Sequence, residues 1–319
     1  MKTKIIGVGG YLPSKILTNA DLEKMVETSD EWITERTGIK QRHIAPEGQL
    51  TSDLAIKAAE QALEMAQISG EQLDLIILAT TSPDHTLPAT AVKIQNALGA
   101  KKAFAFDIQA VCSGFMYALS VAHQYIQTGV VRHALVIGAE TISRLIDWTD
   151  RNTCVLFGDG AGAVVLSGTS DSDISGIEKI ILHSDGAFYD MLHTTGGISS
   201  TKSIGFIHME GREVFRHAVN KLSSIASELL ENTSYSLSDI DFLIPHQANI
   251  RIIQGVADKI KLPMEKVALT LPVQGNTSAA SIPLALNEVV RAGKLKRGDL
   301  ILTEAMGGGF TWAGALISW

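Results

Sequence analysis

Cysteine is nearly absent: Cys112 and Cys154 are the two in 319 residues. Two cysteines cannot build a disulfide framework, and neither stands at metal-ligand spacing, so a reducing compartment and no metal are expected. Proline is sparse as well, 8 against 28 glycines, which leaves many tight turns to glycine. Positive charge is in deficit, with 27 Lys and Arg against 34 Asp and Glu and a formal charge of −7. That argues against a nucleic-acid partner, as does the lack of any basic tail or long like-charge block. No apolar run reaches membrane-spanning length. The opening Met1-Lys-Thr-Lys-Ile-Ile-Gly is too polar and glycine-rich for a signal-peptide core, and Pro13 soon breaks it. A soluble cytoplasmic protein is expected. What is present is 45% hydrophobic residues, enough for one large domain or two of ordinary size.

Apolar runs alternate with helical periodicities along the chain. Residues 4–8, 73–79 and 134–137 read as strands, and 12–16 as a turn region. Helices are predicted from Thr18 or Asn19, over 28–38 with Gly38 as the stop, over 52–66, and over 91–98 closed by Gly99. Strands and helices in this alternation imply an α/β fold with buried central sheets. The polar segment 168–176 is the predicted boundary, giving halves of 1–170 and 171–319. The pattern then partly repeats. Cys112 precedes Gly129 by 17 positions and Asn276 precedes Gly293 by 17, Asp74-Leu-Ile-Ile-Leu has a counterpart in Asp241-Phe-Leu-Ile-Pro, and Ala161-Gly-Ala-Val-Val-Leu-Ser resembles Ala313-Gly-Ala-Leu-Ile-Ser. Three matches in order predict a duplicated architecture. They also make Cys112 and Asn276 equivalent helix starts that could converge on one site between the halves.

Cys112 is placed where the apolar run 103–111 gives way to helical spacing at Phe115, Leu119, Ala122 and Ile126. The start of a helix favours a thiolate over a thiol, and Ser113 and Gly114 leave room for a substrate carbonyl. The competing reading is a buried structural cysteine. His246, in Pro245-His-Gln-Ala-Asn249, follows an apolar strand. Asn276, in Gly275-Asn-Thr-Ser-Ala-Ala-Ser281, is a neutral donor or a plain helix cap. Met306-Gly-Gly-Gly-Phe310 can bring backbone N–H groups close to an oxyanion, or simply turn between strands. A thiol, a histidine, an asparagine and a glycine loop together fit acyl transfer through a thioester. Cys154 is taken as a structural thiol entering a strand.

On Thr28-Ser-Asp-Glu-Trp-Ile, Arg36-Thr-Gly-Ile, Phe157-Gly-Asp-Gly-Ala-Gly, Pro245-His-Gln-Ala-Asn and Gly275-Asn-Thr-Ser-Ala-Ala-Ser, the chain resembles the β-ketoacyl-[acyl-carrier-protein] synthase III family over essentially its whole length. The resemblance implies a duplicated, five-layered α-β-α-β-α thiolase-like fold, a homodimer, and a decarboxylating condensation without a cofactor. Acetyl-CoA or another short acyl-CoA and malonyl-acyl-carrier protein are the implied substrates. Cys112 becomes the acylated nucleophile, His246 and Asn276 the decarboxylation pair, and the N–H groups of Cys112 and Gly308 the oxyanion hole. Trp32 and Arg151 would hold the adenine of CoA, Arg36 its phosphates, and Phe215 and Asn249 the pantetheine arm. Gln247, Ala248, Asn249, Ile250 and Arg251 would meet the acidic carrier protein, with Lys259 nearby. Leu87 would reach the acyl pocket of a neighbouring subunit. An asparagine at 276, with no cysteine in the 307–310 loop, separates the chain from elongating condensing enzymes and from thiolases. A starter synthase of secondary metabolism and a noncatalytic carrier-binding homologue are the alternatives; a thioesterase has no use for the decarboxylation pair.

Overall fold

The first half builds a five-stranded sheet, the helices that cover it and a separate two-stranded pair. In a computed structural model, which describes residues 1–170 and 172–319, Asp171 at the expected boundary lies outside the described residues. The chain begins with β1 (Lys2–Tyr11) and β2 (Lys15–Thr18), then α1 (Asn19–Leu22), α2 (Asp30–Thr37) and β3 (Gln41–Ile44). Part of the expected turn over 12–16 is therefore strand, because β2 pairs with β3. Local sequence does not show so distant a partner. Thr18 caps α1 in a reciprocal pair with Asp21, Ser29 caps α2, and Gly38 closes α2 at φ 80°. Next come α3 (Thr51–Ala66), β4 (Leu75–Ala79), α4 (Thr90–Ala97), β5 (Phe104–Ile108), α5 (Gly114–Gln127), β6 (His133–Glu140) and β7 (Gly160–Thr169). The sheet runs β1-β7-β6-β4-β5, with β4 parallel to both neighbours. Leu75, Ile76, Ile77 and Leu78 of β4 are fully buried. Each contributes about 1.5–3 kcal/mol by burial, so the strand reads as an unbroken apolar run.

The second half repeats the plan. It comprises β8 (Gly176–Ser184), β9 (Leu192–Thr194), β10 (Ile207–Met209), α6 (Gly211–Leu230), β11 (Phe242–Pro245), α7 (Ile250–Lys259), α8 (Leu271–Gln274), α9 (Ser281–Arg291), β12 (Leu300–Gly307) and β13 (Thr311–Ser318). Its sheet runs β8-β13-β12-β11, which reproduces β1-β7-β6-β4 strand for strand. The aspartates of the sequence repeat do the same work in each half. Asp74 accepts from the N–H groups of Arg132 and His133 at the start of β6, and Asp241 from that of Leu300 at the start of β12. Residues of α5 and α9 share one core with both sheets, α3 and α4 cover the first sheet, and α6 and α7 cover the second. The result is five layers, α-β-α-β-α. Among the described residues no helix is long and apolar enough to cross a membrane.

The equivalence of Cys112 and Asn276 fails by one helical turn. Both helices end on a left-handed glycine, Gly129 and Gly293, but α5 has 14 residues and α9 only 11. Counting back from the stop therefore misaligns the starts. Each helix is preceded by a 3-10 turn whose first residue has positive φ, Val111 at 49° and Ser278 at 50°. On that match Cys112 corresponds to Ala279, and Asn276 to Gln109.

Candidate active site

The site begins at the bend between β5 and α5. Val111 is held in the left-handed region at φ 49°, a costly conformation for a β-branched residue, on the order of 1–3 kcal/mol. It turns the chain sharply, so that Cys112 sits in the 3-10 turn ahead of α5. Ser113 Oγ donates to Ala110 O at 2.7 Å and lies 2.7 Å from Thr311 Oγ1, tying the bend to β13. A side chain at Gly307 would place its Cβ 2.7 Å from the Cys112 nitrogen. Only glycine lets the β12–β13 loop lie this close to the amide beside the sulfur.

Cys112 is 6% exposed. Burial pushes its thiol up to about 12; the Ser278 hydroxyl and the residue's own N–H favour the thiolate, and Glu140 opposes it. The expectation that the helix start yields a thiolate is thus corrected: loss of solvent outweighs the local donors.

His246 follows β11, and its N–H donates to Glu304 O at 2.8 Å, extending the ladder with β12. Its ring is buried, which lowers its pKa to about 4, so the imidazole is neutral at physiological pH. Nδ1 lies 2.6 Å from Ser281 Oγ, which also accepts from the Gln247 N–H at 3.3 Å. In the tautomer in which that hydroxyl donates to Nδ1, the ring proton resides on Nε2. Ser281 stands inside the asparagine motif, but its partnership with His246 is long-range and was missed. Asn276 Oδ1 accepts from the Ser278 N–H at 2.9 Å, which leaves Nδ2 as the donor end. Two neutral donors thus come from two different loops.

One cavity of about 870 Å³ takes in Cys112, His246, Asn276 and Gly308, and extends to Trp32, Arg36, Phe215, Asn249 and Arg251. Arg36 and Arg151 place their guanidinium carbons 4.9 and 5.3 Å from the Trp32 ring centroid, although Arg151 does not line the cavity. Asn249 caps α7 through Oδ1 and donates Nδ2 to Arg36 O at 3.0 Å. Ala248 lines the cavity, Ile250 packs on Gly38, and Arg251 is exposed at the start of α7. Leu87 is 79% exposed and lies outside this cavity.

One expectation is overturned and one is adjusted. Gln247 is no docking residue: it is 1% exposed, its Nε2 donates to Pro245 O and Ala268 O, and its Oε1 accepts from Thr270 and Leu271. Its amide is a strut between loops. Cys154 is a buried free thiol as expected, packed in a separate apolar cluster with Ile33 and Phe157; only its placement differs, in a run of turns ahead of β7 rather than at the entry to a strand. Among the described residues no group of three or more His, Cys, Asp or Glu could hold a metal.

Residues 106–186 match the family described as 3-oxoacyl-[acyl-carrier-protein (ACP)] synthase III, and residues 230–319 match its C-terminal counterpart. A relative from Paramagnetospirillum magneticum, a β-ketoacyl-[acyl-carrier-protein] synthase III, is 59% identical, covering 99% of each chain. The crystal structure of 3-oxoacyl-[acyl-carrier-protein] synthase III from Aquifex aeolicus is 50% identical, with a TM-score of 0.94 over 99% of this chain and 100% of that one. The priming β-ketosynthase of the R1128 polyketide pathway superposes with a TM-score of 0.94 at 33% identity, over 99% of this chain and 96% of that one. With motif, layer order and cavity in agreement along its length, the chain belongs to the β-ketoacyl-[acyl-carrier-protein] synthase III family of condensing acyltransferases, in the thiolase-like fold.

Proposed function

We propose that the chain condenses acetyl-CoA, or another short acyl-CoA, with malonyl-acyl-carrier protein through an acyl-Cys112 intermediate. The carrying observation is the convergence of Cys112, His246, Asn276 and Gly308 on one cavity. The Cys112 sulfur attacks the thioester carbonyl, the acyl group moves to the sulfur, and CoA leaves with the thiol proton. The N–H groups of Cys112 and Gly308 receive the oxyanion. Malonyl-carrier protein then loses carbon dioxide. Nε2–H of His246 and Nδ2–H of Asn276 stabilise the thioester oxygen as it becomes an enolate, whose carbon attacks the acyl-enzyme. The carbon–sulfur bond to Cys112 breaks, 3-oxoacyl-carrier protein leaves, and the released thiolate takes a proton from solvent. The neutrality of His246, enforced by burial, supports a hydrogen-bond donor role rather than a charged one. No cofactor is needed for these steps.

Trp32, Arg36, Arg151, Phe215 and Asn249 are assigned to CoA. Arg151 rests against Trp32, so an adenine stacking between them displaces it. Ala248, Asn249, Ile250 and Arg251 are assigned to the carrier protein. Arg251→Glu is expected to raise the KM for malonyl-carrier protein about 10-fold and to flatten its salt dependence, leaving acylation by acyl-CoA unchanged. Steady-state rates at two ionic strengths measure this.

The strand edge of β5 has no partner among the described residues, and Phe104 on it is 41% exposed. An open apolar edge supports a homodimer joined there, with Leu87 reaching the neighbouring acyl pocket; sedimentation velocity reads the assembly. The matching sheets support halves of 1–170 and 171–319, and two free cysteines support a cytoplasmic setting.

The test is intact-protein mass after exposure to acyl-CoAs of increasing length. A single acetyl adduct discharged by malonyl-carrier protein is the expected result. An adduct formed only with a longer or aromatic acyl group favours a priming synthase like the R1128 enzyme, and no adduct at all sinks the reading.

Ser281→Ala is expected to slow the malonyl half-reaction about 10-fold while acylation proceeds at the parent rate, because Nδ1 loses its partner and the ring its fixed tautomer. Separate rates for adduct formation and carbon dioxide release check it.

A further inference from the structure

The loop that carries Gly308 has no side chains with which to hold itself. Gly307, Gly308 and Gly309 follow one another where β12 turns into β13. Glycine is needed for the fit, since a Cβ at Gly308 would meet Leu192 O at 2.6 Å and Gly309 stands at φ 126°. The cost is a backbone free to move, so its register against Cys112 must come from the residues that follow. Phe310 is fully buried, stacks on Phe188 with ring centroids 5.1 Å apart, and accepts from the Asp185 N–H at 2.8 Å through its carbonyl. None of these contacts reaches the bend that holds Cys112. Thr311 does. Its Oγ1 lies 2.7 Å from Ser113 Oγ, 3.1 Å from Ala110 O and 3.2 Å from Gly308 O. Among the described residues every side-chain hydrogen bond between the 110–113 bend and the 307–311 loop goes through this one oxygen. Ala110 O already accepts from the Ser113 N–H at 3.1 Å and from Ser113 Oγ at 2.7 Å, which uses both of its lone pairs. The Thr311 proton is then left to Ser113 Oγ on one side and Gly308 O on the other. If Ser113 turns its proton to Thr311 instead, the Thr311 proton goes to Gly308 O and both hydroxyls are still satisfied.

We propose that Thr311 is a positioning residue for the oxyanion hole: its hydroxyl, braced by Ser113, holds the glycine loop in register with the Cys112 bend, so that the N–H groups of Cys112 and Gly308 stay aimed at one point. The inference rests on the reading of those two groups as the oxyanion donors. Amides from segments far apart in sequence act on one oxygen only while their separation is fixed. Preorganised donors owe their effect to needing no rearrangement at the moment of reaction, and a misplacement of about 1 Å can cost on the order of 10²-fold. Ser113 is fully buried and Thr311 lines the cavity with Cys112 and Gly308, so the hydroxyl pair sits where the two donor segments meet.

Two reagents that need neither CoA nor carrier protein separate this role from simple support of the sulfur. p-Nitrophenyl acetate acetylates a thiol through a tetrahedral oxyanion and releases p-nitrophenolate, whereas iodoacetamide forms a carbon–sulfur bond as iodide leaves, with no oxyanion. Peptide mass spectrometry of the full chain reads both adducts at Cys112. Thr311→Val keeps the β-branched shape that suits β13 and removes the hydroxyl. It is expected to slow acetylation by p-nitrophenyl acetate and by saturating acetyl-CoA about 10-fold, because the donor is misplaced rather than removed. Alkylation and the half-saturating acetyl-CoA concentration should stay at parent values. Thr311→Ser, which keeps the oxygen, should recover most of the loss. Ser113→Ala should show a smaller loss in the same direction, and the double variant should lose less than the product of the two. The proposal is overturned if Thr311→Val acetylates at the parent rate, if acetylation and alkylation fall together, or if Thr311→Ser is as slow as Thr311→Val. Should Thr311→Val not fold, Ser113→Ala decides by the same ratio of acetylation to alkylation. A parent that takes acetyl from p-nitrophenyl acetate but from no acyl-CoA would count against the proposed reaction and leave the positioning role standing; a parent that takes it from neither sinks both.

Discussion

Cys112→Ala is expected to abolish the acyl adduct with every acyl-CoA and to lower condensation at least about 10⁴-fold, or about 5.5 kcal/mol of transition-state stabilisation. No second thiol can stand in for it. Cys154 is fully buried in a cluster with Ile33 and Phe157, within the run of turns that precedes β7. The substitution removes one atom from a bend that is held by other means. Val111 sets the turn through its backbone, Ser113 ties it to Ala110 and Thr311, and the loop at Gly307 packs on the amide. The alanine chain should therefore melt close to the parent. Decarboxylation of malonyl-carrier protein should continue, because the ring of His246 is held by Ser281 and the amide of Asn276 by Ser278, neither through the sulfur. Intact mass and carbon dioxide release, measured on the same sample, separate the two half-reactions. An adduct on the alanine chain would place the nucleophile elsewhere.

Much of this site was legible because its parts are local signals. A strand followed by helical spacing put Cys112 at a bend, and an apolar run ending in Pro245 put His246 at a strand end. Glycine strings marked the loop against the sulfur. The duplication was legible from Asp74 and Asp241, since each anchors the start of the neighbouring parallel strand in its own half. Three things could not be read, each for a physical reason. The length of a helix is set by where its start packs, so a shared glycine stop misplaced Asn276 by one turn. Exposure of a polar side chain depends on its neighbours in space, and Gln247, next to His246 in sequence, proved to be an internal strut. The balance between a helix start and desolvation at Cys112 depends on burial, a long-range property. Glu140 and Glu304 illustrate the same limit. Each is an acidic residue in an apolar run, unremarked in sequence, and burial raises the pKa of both, that of Glu304 to about 8.

His246→Ala should give the converse of Cys112→Ala: the acyl adduct forms at the parent rate, and decarboxylation and condensation fall about 10²–10³-fold. That is the usual cost of removing one preorganised donor to a developing oxyanion. Asn276→Ala should behave alike. The double variant should lose less than the product of the two, because both donors serve one oxygen and either alone leaves it half satisfied. The pH dependence gives an independent check on how His246 works. Its folded pKa, about 4, lies below the value near 6.5 of a free imidazole, so the ring is already neutral at pH 5 and stays so at pH 8. The malonyl half-reaction should show no histidine titration across that window. A general acid with an ordinary pKa would instead lose activity as pH rises through 6.5. The same depression makes the unfolded chain the better proton binder between about pH 4 and 6.5. This residue therefore adds stability as pH rises through that window, and the contribution is lost as pH falls toward 4. A flat rate profile together with melting temperatures that rise over the same interval identifies a buried neutral donor. A descending limb near pH 6.5 in the malonyl half-reaction would assign His246 a proton to give away, and the hydrogen-bonding role would have to be abandoned.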